Sequence, residues 1–325
     1  MSELGQYVKR EEISRNDCCV KYCAFDKQKG VEVLWYELSI RTPSSMNNDL
    51  ISKIKTLGNI KHQNIISPFH AWLDKGKHLC YFLTEYFSNQ TLSSYVQNIG
   101  HNLSRTAIGN WCAQIMDALE VLHSLKPPFV HGNIRCDNIF IDPSNGAIKV
   151  GLPDFDVFYS SETRPIQAPE AQKFVCISKN DVWSLGMAVL EMATSKKPFS
   201  DVHSDVQLRD KLFSGCLPPE FLEISDPVIA DFIQICILPL EQRPSVPQLR
   251  DHPLFAEIEL NDESGNHSMN NNMLSRGITS DIQKMPEFAA LIQKQNQEKR
   301  ELLHQHEIQQ KALREKIRKR NQGLM

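Results

Sequence analysis

No cysteine pair in this 325-residue chain has the C-x-x-C spacing of a zinc site, although nine cysteines are present. The number is odd, and apart from Cys18-Cys19 they stand singly, which fits reduced thiols better than a disulfide framework. No run of about 18 apolar residues offers a transmembrane helix. The opening MSELGQYVKREE lacks the apolar stretch of a signal peptide, and Ser2 stands where myristoylation needs glycine. Charge of one sign is scarce too. The chain has 36 Lys+Arg against 39 Asp+Glu, a net charge of −3, so whole-chain electrostatics do not point to nucleic acid. Glycine is missing from every position between Gly5 and Gly30. These absences lead us to expect a cytoplasmic protein.

With 41% hydrophobic and 23% charged residues, there is ample material for a sizeable core. VEVLWYELSI (31–40) alternates apolar and polar residues and reads as a strand, as does LCYFLTEYF (79–87). Between them Leu50, Ile51, Ile54 and Leu57 recur at helical spacing. From Ser104 to Leu125, Ile108, Trp111, Cys112, Ile115, Met116, Leu119 and Leu122 mark an amphipathic helix. IFIDPSNGAIKV (139–150) reads as two short strands around a Pro-Ser-Asn-Gly turn. DVWSLGMAVLEMATS (181–195) is apolar almost all round, the pattern of a buried central helix. Helices are also expected over 226–237 and 245–256, with Ser245 able to cap the second. Residues 257–283 are rich in Asn, Ser and Gly and read as a polar linker. Residues 284–325 carry 10 Lys+Arg against 5 Glu, with apolar residues spaced for a helix but too irregularly for a long coiled coil.

The order of landmarks resembles a protein kinase over about 12–256. HGNIRCDNIFI (131–141) has the spacing of the catalytic loop H-R-D-x-x-x-x-N. Ala168-Pro169-Glu170 matches the A-P-E that closes the activation segment, Asp181–Gly186 the D-V-W-S-x-G of the central helix, and Arg243-Pro244 the end of the helical lobe. VEVLWYEL is similar to a signature of the with-no-lysine kinases. Together with the His-Gly-Asn loop, it makes the chain resemble most closely the nuclear receptor-binding protein branch, the pseudokinase relatives of that group. The resemblance implies an α+β, bilobal protein kinase-like fold with a small β-rich N-lobe and a large helical C-lobe, followed by a C-terminal helix. The organisation expected is an N-terminal segment 1–11, a kinase-like domain 12–256, a linker 257–283 and a charged helical tail 284–325.

Carried over position by position, the resemblance gives a divided picture. The three glycines of the phosphate-covering loop fall on Ser14, Asn16 and Cys19, so side chains stand where backbone should approach phosphate. Tyr36 takes the place of the ATP lysine, and Lys53 that of the helix glutamate paired with it. Asn133 takes the place of the catalytic base, and a neutral amide accepts no proton at a useful pH. Leu152 falls on the magnesium-binding aspartate and offers no oxygen ligand. Asn138, Thr84 and Glu85 keep nucleotide-site positions in vestigial form. By contrast His131, Glu170, Asp181 and Arg243 match scaffold positions: the spine histidine, the acceptor beneath the catalytic loop, and the ion pair holding the activation segment.

The leading expectation is therefore a scaffold or adaptor that is not an enzyme and binds no cofactor or metal. It would act by protein–protein binding, with Rho-type GTPases and endoplasmic reticulum-to-Golgi traffic as the themes the resemblance implies, and with self-association possible through the tail. The alternatives are an active but unorthodox Ser/Thr kinase using Lys21 as a substitute cation and Asp154 as a metal ligand, and a domain that binds nucleotide without catalysis.

Overall fold

The computed structural model describes residues 3–15, 19–39, 44–74, 76–87, 90–100, 103–153, 168–170 and 177–256. The chain divides into two units, 1–264 and 265–325. The second unit, with the expected linker and helical tail, lies outside the described residues.

The first lobe is a five-stranded antiparallel sheet. Its strands are β1 (Tyr7–Arg15), β2 (Cys19–Asp26), β3 (Val31–Ser39), β4 (Pro68–Asp74) and β5 (Leu79–Glu85), in the order β1-β2-β3-β5-β4. β1 starts at Tyr7, within the segment read from the sequence as preceding the domain. Successive side chains of a strand point to opposite faces, and the register converts this into two surfaces. On one face Lys21, Tyr36, Phe82 and Ala71 form a row, since Lys21 pairs with Tyr36, Tyr36 with Phe82 and Phe82 with Ala71. Leu38, Cys80 and Phe82 on this side share a core with Ile54 and Leu57 of helix α1 (Ser44–Gly58). The other face carries Ala24, Val33 and Leu83 with Tyr7, Trp35 and Trp72 packed on them.

The second lobe is mainly helical: α2 (Leu92–Ile99), α3 (Arg105–His123), α4 (Ser178–Thr194), α5 (Asp205–Phe213), α6 (Pro227–Cys236) and α7 (Val246–Leu249). The helix starts have local causes. The Thr91 hydroxyl accepts from Ser94 N, and that of Ser104 from Ala107 N. The Asp226 carboxylate accepts from Val228 N and Ile229 N with Pro227 at the first helical position, satisfying orphan amides. α4 is buried from Asn180 through Met192, as its apolar composition predicts. The helix expected over 245–256 is shorter: α7 ends at Leu249, and a 3₁₀ turn covers Pro253–Phe255. The cause is local, because Pro253 lacks an N–H and holds His252 at φ −71°, ψ 142°, outside the helical region. Ser245 and Gln248 form a capping box at the start of α7. Among the described residues no helix is long and apolar enough to cross a membrane.

Between α3 and α4 lies the hairpin β6 (Ile139–Asp142) and β7 (Ala147–Val150). Ile139, Ile141, Ile148 and Val150 are buried in the core. Phe140 and Lys149 are register partners, so both lie on the opposite face of the hairpin.

Candidate active site

The catalytic-loop stretch 131–138 is built from below. The Asp181 carboxylate, wholly buried, accepts from His131 N at 2.9 Å, Gly132 N at 2.7 Å and His123 Nε2 at 2.8 Å. Three donors converging on one buried carboxylate pin the loop to the start of α4. Gly132 has φ +70°, a conformation glycine adopts without a Cβ penalty. Asn133 N donates to His131 Nδ1 at 3.2 Å and His131 Nε2 to Gly151 O at 3.1 Å, which fixes His131 as the neutral imidazole with its proton on Nε2. A second tie is Arg243, whose side chain is 1% exposed. It bonds Glu170, donates to Lys179 O at 2.9 Å and Leu238 O at 3.1 Å, and lies 5.0 Å from the Trp183 ring centroid.

The upper side of the loop presents amides. Asn133 Nδ2 donates to Leu152 O at 3.3 Å; Asn138 Nδ2 donates to the same carbonyl at 2.8 Å and to Asn133 O at 3.0 Å. The Asn138 side-chain oxygen faces Gly151 so closely that a Cβ there would stand 2.2 Å from it. A glycine is required at 151 for this asparagine to fit. Leu152 itself is buried and contributes its backbone carbonyl to the network. Arg135 turns aside to Asp137 at 2.6 Å, and Lys197 meets the same carboxylate at 3.1 Å. Burial opposes the charge on Asp137, but hydrogen bonds and charge from Arg135 and then Lys197 hold its carboxyl below the usual range.

Above the loop stands the inner row of the sheet. Tyr36 stacks on Phe82 with ring centroids 4.7 Å apart and planes 10° from parallel. Burial pushes its phenol far up, a hydrogen bond with Thr84 opposing this in part. Thr84 is buried and donates to Glu85 O at 3.1 Å. Lys53, on α1, is exposed rather than turned into the core. Lys21 is half-buried. Its ammonium lies 5.7 Å from the Tyr36 ring centroid and 5.2 Å from that of Phe140 on β6. Among the described residues, Nζ lies against these two rings. Desolvation holds the ammonium below the usual lysine range, with the neighbouring Cys19 opposing. Lys149 on the hairpin ties to Glu85 at 2.6 Å and lies 5.3 Å from the Phe87 ring.

The structure groups Lys21, Tyr36 and Thr84 on the sheet and Asn133, Asn138 and Leu152 in the loop, and the contacts between the two sides run from Lys21 to Phe140 and from Glu85 to Lys149. Asp154, the other candidate metal ligand, lies outside the described residues, as does most of the activation segment. Among the described residues no cluster of three His, Cys, Asp or Glu side chains could hold a metal ion, and Asn138 offers one side-chain oxygen. A half-buried cation such as Lys21 fits the polyphosphate of a nucleotide. Sequence reasoning missed Phe140 and Lys149. The signal was in the alternation of IFID and AIKV, whose isoleucines and valine claim one face and leave Phe140 and Lys149 on the other.

The comparisons agree with this architecture. The protein kinase domain family matches residues 19–255, and the chain belongs to that family. Several of its relatives are named as with-no-lysine (WNK) kinases. The chain is 32% identical over 263 residues to the probable serine/threonine-protein kinase WNK10 of Arabidopsis thaliana, covering 78% of this chain and 50% of the relative. It is 31% identical over 263 residues to the serine/threonine-protein kinase WNK8 of the same plant, covering 78% and 46%. It is 32% identical over 267 residues to the probable serine/threonine-protein kinase WNK9 of Oryza sativa subsp. japonica, covering 79% and 64%. The chain therefore spans about half the length of the first two relatives and under two thirds of the third. These findings overturn the expectation that the chain is not an enzyme, since the relatives are serine/threonine-protein kinases. The physical ground of that expectation was the joint loss of the expected groups at Tyr36, Asn133 and Leu152. Position 36 does carry tyrosine in place of lysine, but Lys21 of the adjacent strand directs its ammonium to the same row.

Proposed function

We propose that this chain is a protein-kinase domain that takes a nucleotide between the inner face of the sheet and the β6–β7 hairpin and passes a phosphoryl group to a serine or threonine hydroxyl. Lys21 is the cation that faces the phosphates. The observation that carries this reading is the Lys21 ammonium, held in the cleft among aromatic rings with desolvation working against its charge. An anion entering the cleft would relieve that penalty. The names of the relatives support the reaction class.

Each residue has a limited task. Asp181 and His131 hold the loop, and Asn138 and Asn133 lock it to Leu152. Positioning and electrostatics supply most of the acceleration in phosphoryl transfer. A side-chain base adds roughly 10²–10⁴, and the amide of Asn133 leaves that factor unused. Turnover is accordingly slow for the fold. The test is transfer from ATP to a pool of Ser/Thr peptides by the full chain and by Lys21→Met. Measurable transfer that Lys21→Met abolishes is expected. No transfer by the wild-type chain, or equal transfer by both, would refute the reading.

The likeness to the nuclear receptor-binding protein branch supports an added role in holding protein partners. Val206 and Phe213, seven residues apart on α5 and exposed, supply a surface for such contact. Affinity capture with the full chain and with Val206→Asp/Phe213→Asp tests it, a shared set of captured proteins counting against that surface.

A further inference from the structure

β1 is an edge of the sheet: β2 is its neighbour, and among the described residues no other strand pairs with it. From Val8 to Arg15 every residue is exposed. Such an edge offers a row of backbone groups to another strand. Its register with β2 holds an irregularity. Lys9 stands opposite Ala24 and Glu12 opposite Tyr22, so Arg10 and Glu11 together face the single residue Cys23. Tyr22 and Ala24 are two apart on β2 and share a face. Lys9 and Glu12 therefore lie on one face although they are three positions apart, and the Lys9 ammonium is 4.0 Å from the Tyr22 ring centroid. Arg10 and Glu11 lie together on the other face, where the Arg10 guanidinium is 4.8 Å from the Phe25 ring centroid. This is a β-bulge, and it breaks the ordinary alternation at the middle of the strand.

The sequence across the bulge is VKREEI (8–13). Read against itself in the antiparallel direction, it sets Lys9 opposite Glu12, Arg10 opposite Glu11 and Val8 opposite Ile13. Val8 and Ile13 are large apolar side chains left exposed. We propose that β1 docks on the β1 of a second copy of this chain, antiparallel about a two-fold axis between Arg10 and Glu11, and joins the two sheets into one. Every charged residue of the stretch then meets one of opposite sign, and each valine meets an isoleucine. A two-fold of this kind puts opposed residues on the same face. In a regular strand residues 10 and 11 point to opposite faces, and an axis between them is forbidden. The bulge removes that conflict. A bulge on an edge strand turns ordinary strands away, but a second copy carries the same bulge at the same place, and this singles out the chain itself as the occupant. The charges are free to change partners. Lys9 is tied to Glu37 at 2.7 Å, Arg10 to Glu32 at 3.4 Å and Glu12 to Arg15 at 2.6 Å, and ion pairs of such exposed side chains are weak.

The experiment is sedimentation equilibrium of the full chain over roughly 1–300 μM. A contact along one strand is small, so a weak, reversible dimer is expected, and it should loosen as salt is raised. Two charge variants separate this edge from any other contact. Lys9→Glu/Arg10→Glu makes positions 9–12 all acidic, and Glu11→Lys/Glu12→Arg makes them all basic. Each variant alone should dimerise more weakly than wild type by roughly tenfold or more, because like charges then face each other. An equimolar mixture of the two should recover a one-to-one dimer about as tight as that of wild type, since every opposed pair is again of opposite sign. A wild-type chain that stays monomeric throughout overturns the proposal. So do variants that associate as wild type does, which would place self-association elsewhere on the chain. Weakening of both variants without recovery on mixing overturns it as well. Thermal melts, expected to stay within a few degrees of wild type, show that the variants are folded, and recovery on mixing cannot come from misfolded chains. No nucleotide is added, so the outcome is independent of the reading above.

Discussion

The lower and upper sides of the 131–138 loop differ in how completely their polar groups are spoken for. Below, the Asp181 carboxylate takes two backbone amides and one imidazole, and Arg243 divides its donors among Glu170 and two carbonyls. Each group there has a partner of opposite character, and the result is rigid. Above, the cleft holds an ammonium among rings and two asparagine amides that both donate to one carbonyl. The lower side resembles a finished core; the upper side sets a cation against aromatic rings. A fold of this kind can keep its frame while the residues that face ligand change.

Four substitutions would sharpen or break that contrast. The largest effect is expected above the loop. Asn133→Asp should raise phosphoryl transfer by roughly 10²–10⁴, measured as turnover against Ser/Thr peptides; an unchanged rate would mean that the position is not the missing base. Below the loop, Asp181→Ala should cost about 3 kcal/mol or more, because three donors lose a buried charged acceptor. Urea titration beside Asp181→Asn, which keeps one acceptor and should lose less, checks this. Gly151→Ala should cost about 1–3 kcal/mol by overpacking, since its Cβ would meet both the side chain and the backbone carbonyl of Asn138; a loss below that range would mean that the backbone there shifts to make room. The smallest effect is remote from the site. Glu191 on α4 is buried and accepts from Ser93 on α2. Burial raises its carboxyl above the usual range, the Ser93 hydrogen bond opposing. Its contribution is therefore fully present below the ordinary glutamate value and is lost as pH rises through the raised one. Glu191→Gln should match wild type in acid and be more stable by about 1 kcal/mol at neutral pH, read from melts across that range.

Burial also settles which cysteines are available for chemistry. Desolvation pushes the Cys80 thiol up to about 12 and those of Cys112, Cys136 and Cys236 up as well. Thiols so placed behave as small apolar side chains rather than as nucleophiles or ligands.

Much of the fold was legible in the sequence because its signals were local. The α3 pattern from Ile108 to Leu122 and the all-round apolar α4 fall where the structure puts helices. β1 and β2 escaped reading because their side chains are mostly exposed or half-buried, so no apolar alternation marks them. The 245–256 segment was read as one helix because its apolar spacing survives the break that Pro253 imposes. The site was harder, because its decisive feature spans three strands and the hairpin. Motif positions taken singly put Tyr36, Asn133 and Leu152 on record but said nothing about where Lys21 points. That direction follows from the pairing of Lys21 with Tyr36, and register across a sheet is written in no single segment.

The central claim is that Lys21 is the cation of a nucleotide site, and its most direct test is calorimetric titration of the full chain with ATP and Mg²⁺, beside Lys21→Met. Saturable binding by the wild-type chain, lost or weakened at least tenfold in Lys21→Met, is the result predicted. Equal binding by the two proteins, or none by the wild-type chain, would contradict it.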